Sequence, residues 1–415
     1  MGNAGAVTPE VAAPRVVLTG GSAAFAIRDF LTRANVDFLY HDGEGPPGVA
    51  VCTFADGTQL VSPTLHELAG HLGLLRPAAT DVYDLVIVGA GPAGLAAAVY
   101  AASEGLATAV VEREVPGGQA GTSSAIENYL GFPDGISGVD LAERARCQAE
   151  KFGAEMLMLR EVTAGGVVDG VFRSNLSDGT SVRSRCVLCA SGVSWRRLDA
   201  PGVERLLHAG VYYGAAISEA PGVRDKDVFV VGGGNSAGQA AMNFARVARS
   251  VTLVVRGDGL AASMSTYLTR RIGDALNVTV RRYAKIIAVD GDDWLRTITF
   301  EDSGTSERDV VDAHALFICI GGVAHTDWVS GAGLLVDGAG YLVTGRDLRD
   351  PALNGGRQVW PLSRDPYVLE TSRPGVFAAG DVRRGSTKRV STAVGEGAMA
   401  VELVHRFLAE RAAPT

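Results

Sequence analysis

At 415 residues the chain exceeds one ordinary domain, and its length points to about two or three. Hydrophobic residues make up 47% and charged residues 20%, so a large core can be buried and disorder is not the default. A formal charge of −8 with no basic tract excludes a nucleic-acid surface, and no stretch reaches transmembrane length.

Residues 1–14 lack a basic segment followed by an apolar run, so they read as a disordered lead rather than a secretory signal. Ala6 breaks the myristoylation pattern. Five scattered cysteines fit a reducing cytoplasm better than a disulfide framework.

From 15 to 76 the pattern reads strand, helix, strand, strand, strand, helix. RVVLTG is a strand, AAFAIRDFLTRA an amphipathic helix and VDFLYHD a second strand. VAVCTF and TQLVS flank the turn signal ADG, and TLHELAGHLGL is a helix capped by Thr64 or Ser62. That order is similar to a small thioredoxin or glutaredoxin fold. The turn from first strand to helix is Gly20-Gly21-Ser22-Ala23-Ala24, with no thiol, so the module reads as redox-silent. His66 and His71 are five apart, out of line for the paired histidines of a metalloprotease helix.

Arg76–Thr80 reads as a linker. Next, YDLVIVG runs into Gly89-x-Gly91-x-x-Gly94, an alanine-rich helix follows, and a second strand ends at Glu112. Strand, turn, helix and terminal acid form a dinucleotide-binding fingerprint: the glycines admit a pyrophosphate and Glu112 can hold ribose hydroxyls. A second copy opens with Gly232-x-Gly234-x-x-Ala237, and its next strand ends at Arg256. An arginine there suits the 2′-phosphate of NADP, or is a solvated strand-end charge. A third piece, GVFAAGD, can place Asp381 on a ribityl hydroxyl. The helix after it would aim its first turn at the flavin pyrimidine.

Together these residues resemble the low-molecular-weight thioredoxin reductase family of FAD- and NADPH-dependent oxidoreductases. The resemblance covers about residues 82–410 and includes GGQ at Gly117–Gln119, IENYLGFP from Ile126, CASG at Cys189–Gly192 and FICIGG at Phe317–Gly322. With its N-terminal module the chain is similar to a bacterial subgroup of multidomain relatives. The fold class implied is α/β, with two Rossmann-like dinucleotide-binding domains and a small thioredoxin-like module. The resemblance divides the chain into an FAD-binding domain at 80–195 and 326–415 and an NAD(P)-binding domain at 196–325. It also implies a homodimer.

By position the resemblance assigns FAD contacts to Gly89, Gly91, Pro92, Ala93, Gly94, Glu112, Gly118, Gln119, Asn128, Gly192, Gly380 and Asp381. The family's Arg-Gln-Ala becomes Arg389-Val390-Ser391. NADP contacts fall to Gly232, Gly234, Asn235, Ser236, Ala237 and Arg256. The family's Cys-x-x-Cys-Asp lands on Ala215-Ala216-Ile217-Ser218-Glu219, so both thiols of the relay are replaced. Cys186 and Cys189 form another CxxC, but on a strand they point to opposite faces. The family's basic cluster thins to Arg256, with Gly257 and Ala261 where arginines belong.

The expectation is therefore an FAD-dependent oxidoreductase that does not reduce thioredoxin. NAD(P)H would reduce the flavin, and a small molecule or dioxygen would accept the electrons. One alternative is an enzyme that oxidises an organic substrate in the space left by the disulfide; a second is a flavin-bound scaffold. Glu219, with Ser218, is the candidate catalytic pair, and Glu219 reads equally as a solvated loop acid. Tyr212, Tyr213 and His208 either line a substrate or pack in the core.

Overall fold

The computed structural model describes residues 15–20, 22–41, 48–123, 126, 129–207, 209–214, 221–261 and 264–412. Its first sheet pairs β1 (Val16–Thr19) in parallel with β2 (Phe38–His41) and antiparallel with β3 (Val51–Phe54). Strand β4 (Gln59–Val61) completes the order β2-β1-β3-β4. Helix α1 (Phe25–Arg33) lies between the first two strands and α2 (Leu65–His71) follows the last. The ADG turn closes the hairpin as its residues predict: Gly57, at φ +84°, donates to the Phe54 carbonyl at 2.9 Å. Of the two candidate caps, Thr64 serves. It accepts from the Glu67 amide, and the Glu67 carboxylate accepts the Thr64 amide at 2.8 Å. The His71 ring lies against the Phe54 ring, tilted by 44° with centroids 4.0 Å apart, and no group of metal-ligating side chains forms among the described residues.

This module is not tethered loosely. Val115, only 2% exposed, belongs to the core that Leu18, Phe30 and Leu68 build. Arg33 pairs with Glu114 at 3.1 Å, and the Asn35 amide donates to Glu143 at 3.0 Å. The stretch Arg76–Thr80, which composition marks as a linker, is also held. Arg160 donates to the Arg76 carbonyl at 2.7 Å, and Glu155 accepts from the Ala79 amide, the Thr80 hydroxyl and the Tyr83 hydroxyl. Those anchors lie more than seventy residues downstream, where local composition cannot reveal them.

The main sheet follows. Strands β5 (Val82–Val88), β6 (Thr108–Glu112), β7 (Glu155–Met158) and β10 (Ser181–Cys189) run parallel, while β8 (Val162–Val168) and β9 (Val171–Leu176) extend it antiparallel. Helices α3 (Pro92–Ser103) and α4 (Gly138–Lys151) are the crossovers. The central strands β5 and β6 are buried on both faces and read as nearly continuous apolar runs, whereas β9 alternates buried and exposed residues. Leu85, Ile87 and Cys186 enter one core cluster, and Val86, Val88 and Cys189 the other. The two cysteines of SRCVLC therefore occupy opposite faces of the sheet.

The chain divides into two compact units, one running to Gly192 and resuming at Ala324, the other spanning Val193–Val323. The crossings form a two-stranded ribbon of β11 (Val193–Trp195) and β20 (Gly322–Ala324). Within the second unit β12 (Val211–Tyr213), β13 (Asp227–Val231), β14 (Ser250–Val254), β15 (Val278–Arg281) and β19 (Ala315–Ile318) form a parallel sheet of order β12-β19-β13-β14-β15. Helix α5 (Asn235–Phe244) follows β13, and α6 (Thr266–Asp274) follows β14. Strands β16 (Ala284–Asp290), β17 (Thr297–Asp302) and β18 (Arg308–Asp312) make an antiparallel layer. Back in the first unit come the short α7 (Pro351–Asn354), β21 (Val376–Ala378), which pairs in parallel with β10, and α8 (Val390–Ala412). Among the described residues no helix is long and apolar enough to cross a membrane.

Candidate functional site

Strand β5 delivers the chain to a turn whose three glycines have three different surroundings. Gly89 lies at φ +103°, and a Cβ on it would fall 2.5 Å from the Ala190 carbonyl oxygen. A Cβ on Gly94 would fall 1.9 Å from the Gly89 oxygen. At Gly91 a Cβ would meet nothing within 4 Å. Two glycines thus permit the packing of strand and helix, and the third leaves backbone open. Gly91 is also the N-cap of α3, with Pro92 in the first turn, so no side chain caps the amides there.

Around this turn, β6 ends in Glu112, 8% exposed. One carboxylate oxygen accepts the Ala90 amide at 2.7 Å and the other the Glu114 amide at 2.9 Å, so the side chain is fixed with lone pairs to spare. Burial pushes its carboxyl above the ordinary range, and the two amides oppose that shift. Gly117, at φ +123°, donates to the Ala90 carbonyl at 2.8 Å. A Cβ on Gly118 would approach the Gly91 Cα at 3.1 Å, so GGQ lies against the open glycine, and Gln119 is exposed. Asn128 lies outside the described residues. After β10, Gly192 takes φ +66°, and its carbonyl accepts the His325 amide at 3.1 Å. Arg113 reaches His325 Nδ1 at 3.3 Å, a pair that sequence reasoning missed because its members are 212 positions apart.

Strand β21 runs into Gly380, at φ +75°, where a Cβ would meet the Ala93 Cβ at 3.0 Å. The neighbouring Asp381 is half-buried. Burial raises its carboxyl, Lys388 opposes the shift and Glu396 adds to it; no hydrogen bond to the carboxylate contributes. Arg389 stands just before α8, its carbonyl accepting the Ala393 amide, and Val390 and Ser391 open the helix. Glu396, also missed in the sequence, accepts the Gly380 amide at 2.7 Å and holds Arg383 and the Ser386 hydroxyl. An open glycine, a buried carboxylate beside it and a second carboxylate that accepts no hydrogen bond among the described residues fit a dinucleotide with hydroxyl donors, as FAD has.

In the second unit the turn repeats with one change. A Cβ on Gly232 would fall 2.3 Å from the Cys319 oxygen, Gly234 caps α5 without a side chain, and Ala237 is fully buried where the first turn has glycine. Asn235 accepts the Ser265 amide at 2.8 Å, and Ser236 is exposed. Arg256, just past β14, is exposed and in no ion pair among the described residues. The Ala284 amide donates to Val255 and the Tyr283 amide to Gly257, which brings the backbone of exposed Arg282 alongside Arg256. Tyr212 stacks on Phe317 at 5.1 Å, and the Tyr213 hydroxyl accepts the Leu198 amide at 2.9 Å, so both serve packing. Ser218, Glu219 and His208 lie outside the described residues.

All five cysteines are free. Burial pushes the Cys52 thiol to about 11 and Cys319 to about 12, raises Cys186 and Cys189 further, and raises Cys147, which also touches Glu143. None is poised as a thiolate at neutral pH.

Two Rossmann-like turns, one closed by a buried acid and the other by an arginine, define an oxidoreductase of two dinucleotide sites. The pyridine nucleotide-disulphide oxidoreductase family model matches residues 83–397, and the chain belongs to that family. It is 33% identical to thioredoxin reductase of Treponema pallidum over 79% of this chain and 97% of that protein. It is 31% identical to an alkyl hydroperoxide reductase component of Staphylococcus epidermidis over 84% of this chain, and spans only 64% of that longer relative. The solved thioredoxin reductase of Streptococcus pyogenes matches with a TM-score of 0.67 at 30% identity, over 80% of this chain and all of that one. The chain is a thioredoxin reductase-like flavoprotein oxidoreductase, with FAD and NADP as the cofactors of its kind.

Proposed function

We propose that the chain oxidises NAD(P)H and passes the electrons to a small-molecule acceptor or dioxygen, without a dithiol relay. The observation that carries this reading is the state of the cysteines. The family's pair is replaced by Ala215 and Ser218, Cys319 is the one cysteine between 193 and 323, and all five thiols are held protonated. A relay needs a thiolate to attack and a second thiol to resolve, and neither is supplied.

FAD, when bound, accepts a hydride equivalent and returns the two electrons, which with dioxygen and a proton yields NADP⁺ and hydrogen peroxide. The chain's own residues do the rest. Gly91 and the first amides of α3 would hold the pyrophosphate, Glu112 would take the adenosine ribose, and Asp381 would take a ribityl hydroxyl. The first turn of α8, at Val390 and Ser391, places positive field where negative charge develops. Gly232, Gly234 and the α5 N-terminus would hold the nicotinamide dinucleotide, and Arg256 would take its 2′-phosphate.

Anaerobic mixing of the purified protein with NADPH, and separately NADH, tests this through the visible absorbance of the flavin. Bleaching by NADPH, followed by peroxide formation in air and no reduction of thioredoxin, is the expected result. A flavin that stays oxidised with both nucleotides overturns it and favours an organic substrate as the hydride donor. Thioredoxin reduction would overturn the claim about the relay.

A further inference from the structure

Beyond both dinucleotide turns, the first unit carries a cleft of about 690 Å³ that no step above uses. Its walls come from the β8–β9 hairpin, the segment after Gly333, the loop at 357–361, the turn before β21 and the end of α8. Val167, Phe172 and Leu334 supply apolar surface, and Arg357, Arg373 and Arg411 supply the charge. Among the described residues no Asp or Glu lines it, although acids outnumber bases over the whole chain by 46 to 38. Among the described residues none of the three arginines forms an ion pair. Arg357 donates only from Nε, to the Asn354 carbonyl at 3.2 Å, and Arg411 lies over the Phe407 ring at 5.9 Å.

One wall of the site is held in place by hydrogen bonds. Fully buried Glu370 accepts the Gly375 amide at 3.1 Å, the Ser372 hydroxyl accepts the Leu335 amide at 2.9 Å, and the Arg373 carbonyl accepts the Val376 amide at 3.0 Å. The backbone carrying Arg373 is thereby pinned before any ligand arrives, which lowers the ordering cost of binding. Arg373 stands three residues before β21 begins, and Asp381 three residues after it ends, so the cleft and the flavin turn lie at opposite ends of one strand.

We propose that this cleft binds a small organic anion with two or more oxyanion groups, phosphate or carboxylate. Three guanidinium groups without carboxylate partners among the described residues can each bind an oxyanion through paired N–H donors, in a chain whose excess charge is negative. The volume falls within the usual range of about 300–1,000 Å³ for small-ligand sites and far exceeds a lone phosphate. The apolar wall of Val167 and Leu334 suits a carbon skeleton between the charged ends.

Calorimetric titration of the FAD-loaded protein, saturated with NADP⁺ to fill the other anion sites, tests this with inorganic pyrophosphate and with citrate. Binding of at least one probe is expected, weakened about tenfold or more by Arg373→Gln and by Arg411→Gln. Flavin content and the rate of flavin reduction should stay unchanged in both variants. Arg406→Gln, on the exposed face of the same helix and paired with Glu402, should bind as the parent does. Preference for pyrophosphate assigns a phosphate ligand, and preference for citrate a carboxylate. No binding of either probe, equal affinity in the cleft variants, or equal loss in Arg406→Gln would overturn the site.

Discussion

Glu396, in the second turn of α8, accepts the backbone N–H of Gly380 at 2.7 Å and so couples the helix to the turn that presents Asp381. The same carboxylate engages both Arg383 and the Ser386 hydroxyl, and it is 8% exposed. Removing it as Glu396→Ala leaves a largely buried guanidinium unpaired and an amide without an acceptor, at a cost of about 3 kcal/mol. Glu396→Gln keeps an acceptor for Gly380 but loses the charge, so it should fall between parent and alanine variant. Thermal melts should show that order, and the flavin content of purified protein should follow it, because Asp381 loses its positioning.

This latch also marks where reading the sequence stops. The glycine turns, Glu112, Arg256 and the ADG hairpin are local patterns, each set by a few neighbouring residues and visible as such. Glu396 within GEGAMA looks like one more exposed helical acid; only the return of β21 beside β10 gives it Gly380 and Arg383 as partners. Val115 is hidden for the same reason, since its core belongs to a module that lies between Val16 and Leu72, far upstream in the chain. The Arg76–Thr80 segment misleads in the other direction, because Pro and Ala suggest freedom while Glu155 and Arg160 remove it.

The two glycines three apart in the first turn should fail in different ways. Gly94→Ala forces a methyl to within 1.9 Å of the Gly89 oxygen, so strand and helix must separate and the apoprotein itself loses stability. Gly91→Ala meets open space at a φ of −73°, so apoprotein stability should be nearly unchanged. Its methyl would occupy the volume proposed for the pyrophosphate, and FAD affinity should drop about tenfold or more. Circular dichroism melts of apoprotein, paired with quenching of FAD fluorescence on binding, separate the two effects. Equal FAD affinity in Gly91→Ala and parent would remove the pyrophosphate from this turn.

Glu112 and Asp381 predict a pH dependence of definite sign. Burial raises both carboxyls above their ordinary values of 4.5 and 3.8, the first relieved by the Ala90 and Glu114 amides and the second by Lys388. In the folded apoprotein they retain protons that the unfolded chain has already released. Apoprotein stability therefore falls as pH rises from the ordinary carboxylate range through the folded values. In the proposed FAD site, hydroxyl groups of the dinucleotide would donate to the ionised carboxylates, so binding should expel those protons and FAD affinity should rise with pH over the same window. Titrations from the ordinary carboxylate range upward, in buffers of different ionisation enthalpy, measure the proton release directly. Glu112→Gln should diminish it, and an affinity that falls with rising pH would contradict the assignment.

The role proposed for Arg256 is to set which nicotinamide dinucleotide the second unit prefers. It stands at the end of β14, where a Rossmann fold meets the adenosine ribose, exposed and without an ion pair among the described residues. A guanidinium there gains charge-assisted hydrogen bonds from a 2′-phosphate and nothing comparable from a 2′-hydroxyl. Arg256→Gln should therefore lower kcat/KM for NADPH by about 10- to 100-fold, a loss of about 1.5–3 kcal/mol, and leave NADH within about twofold. The loss should fall on KM, because the 2′-phosphate lies far from the transferred hydride and binds ground and transition states alike. Arg282, brought alongside by the Tyr283–Gly257 and Ala284–Val255 backbone bonds, supplies the internal comparison. If Arg282→Gln alone shifts the preference, the discriminating charge sits on β15's end and not on β14's. Equal losses with both nucleotides in Arg256→Gln would mean that the arginine supports the turn rather than reads the phosphate.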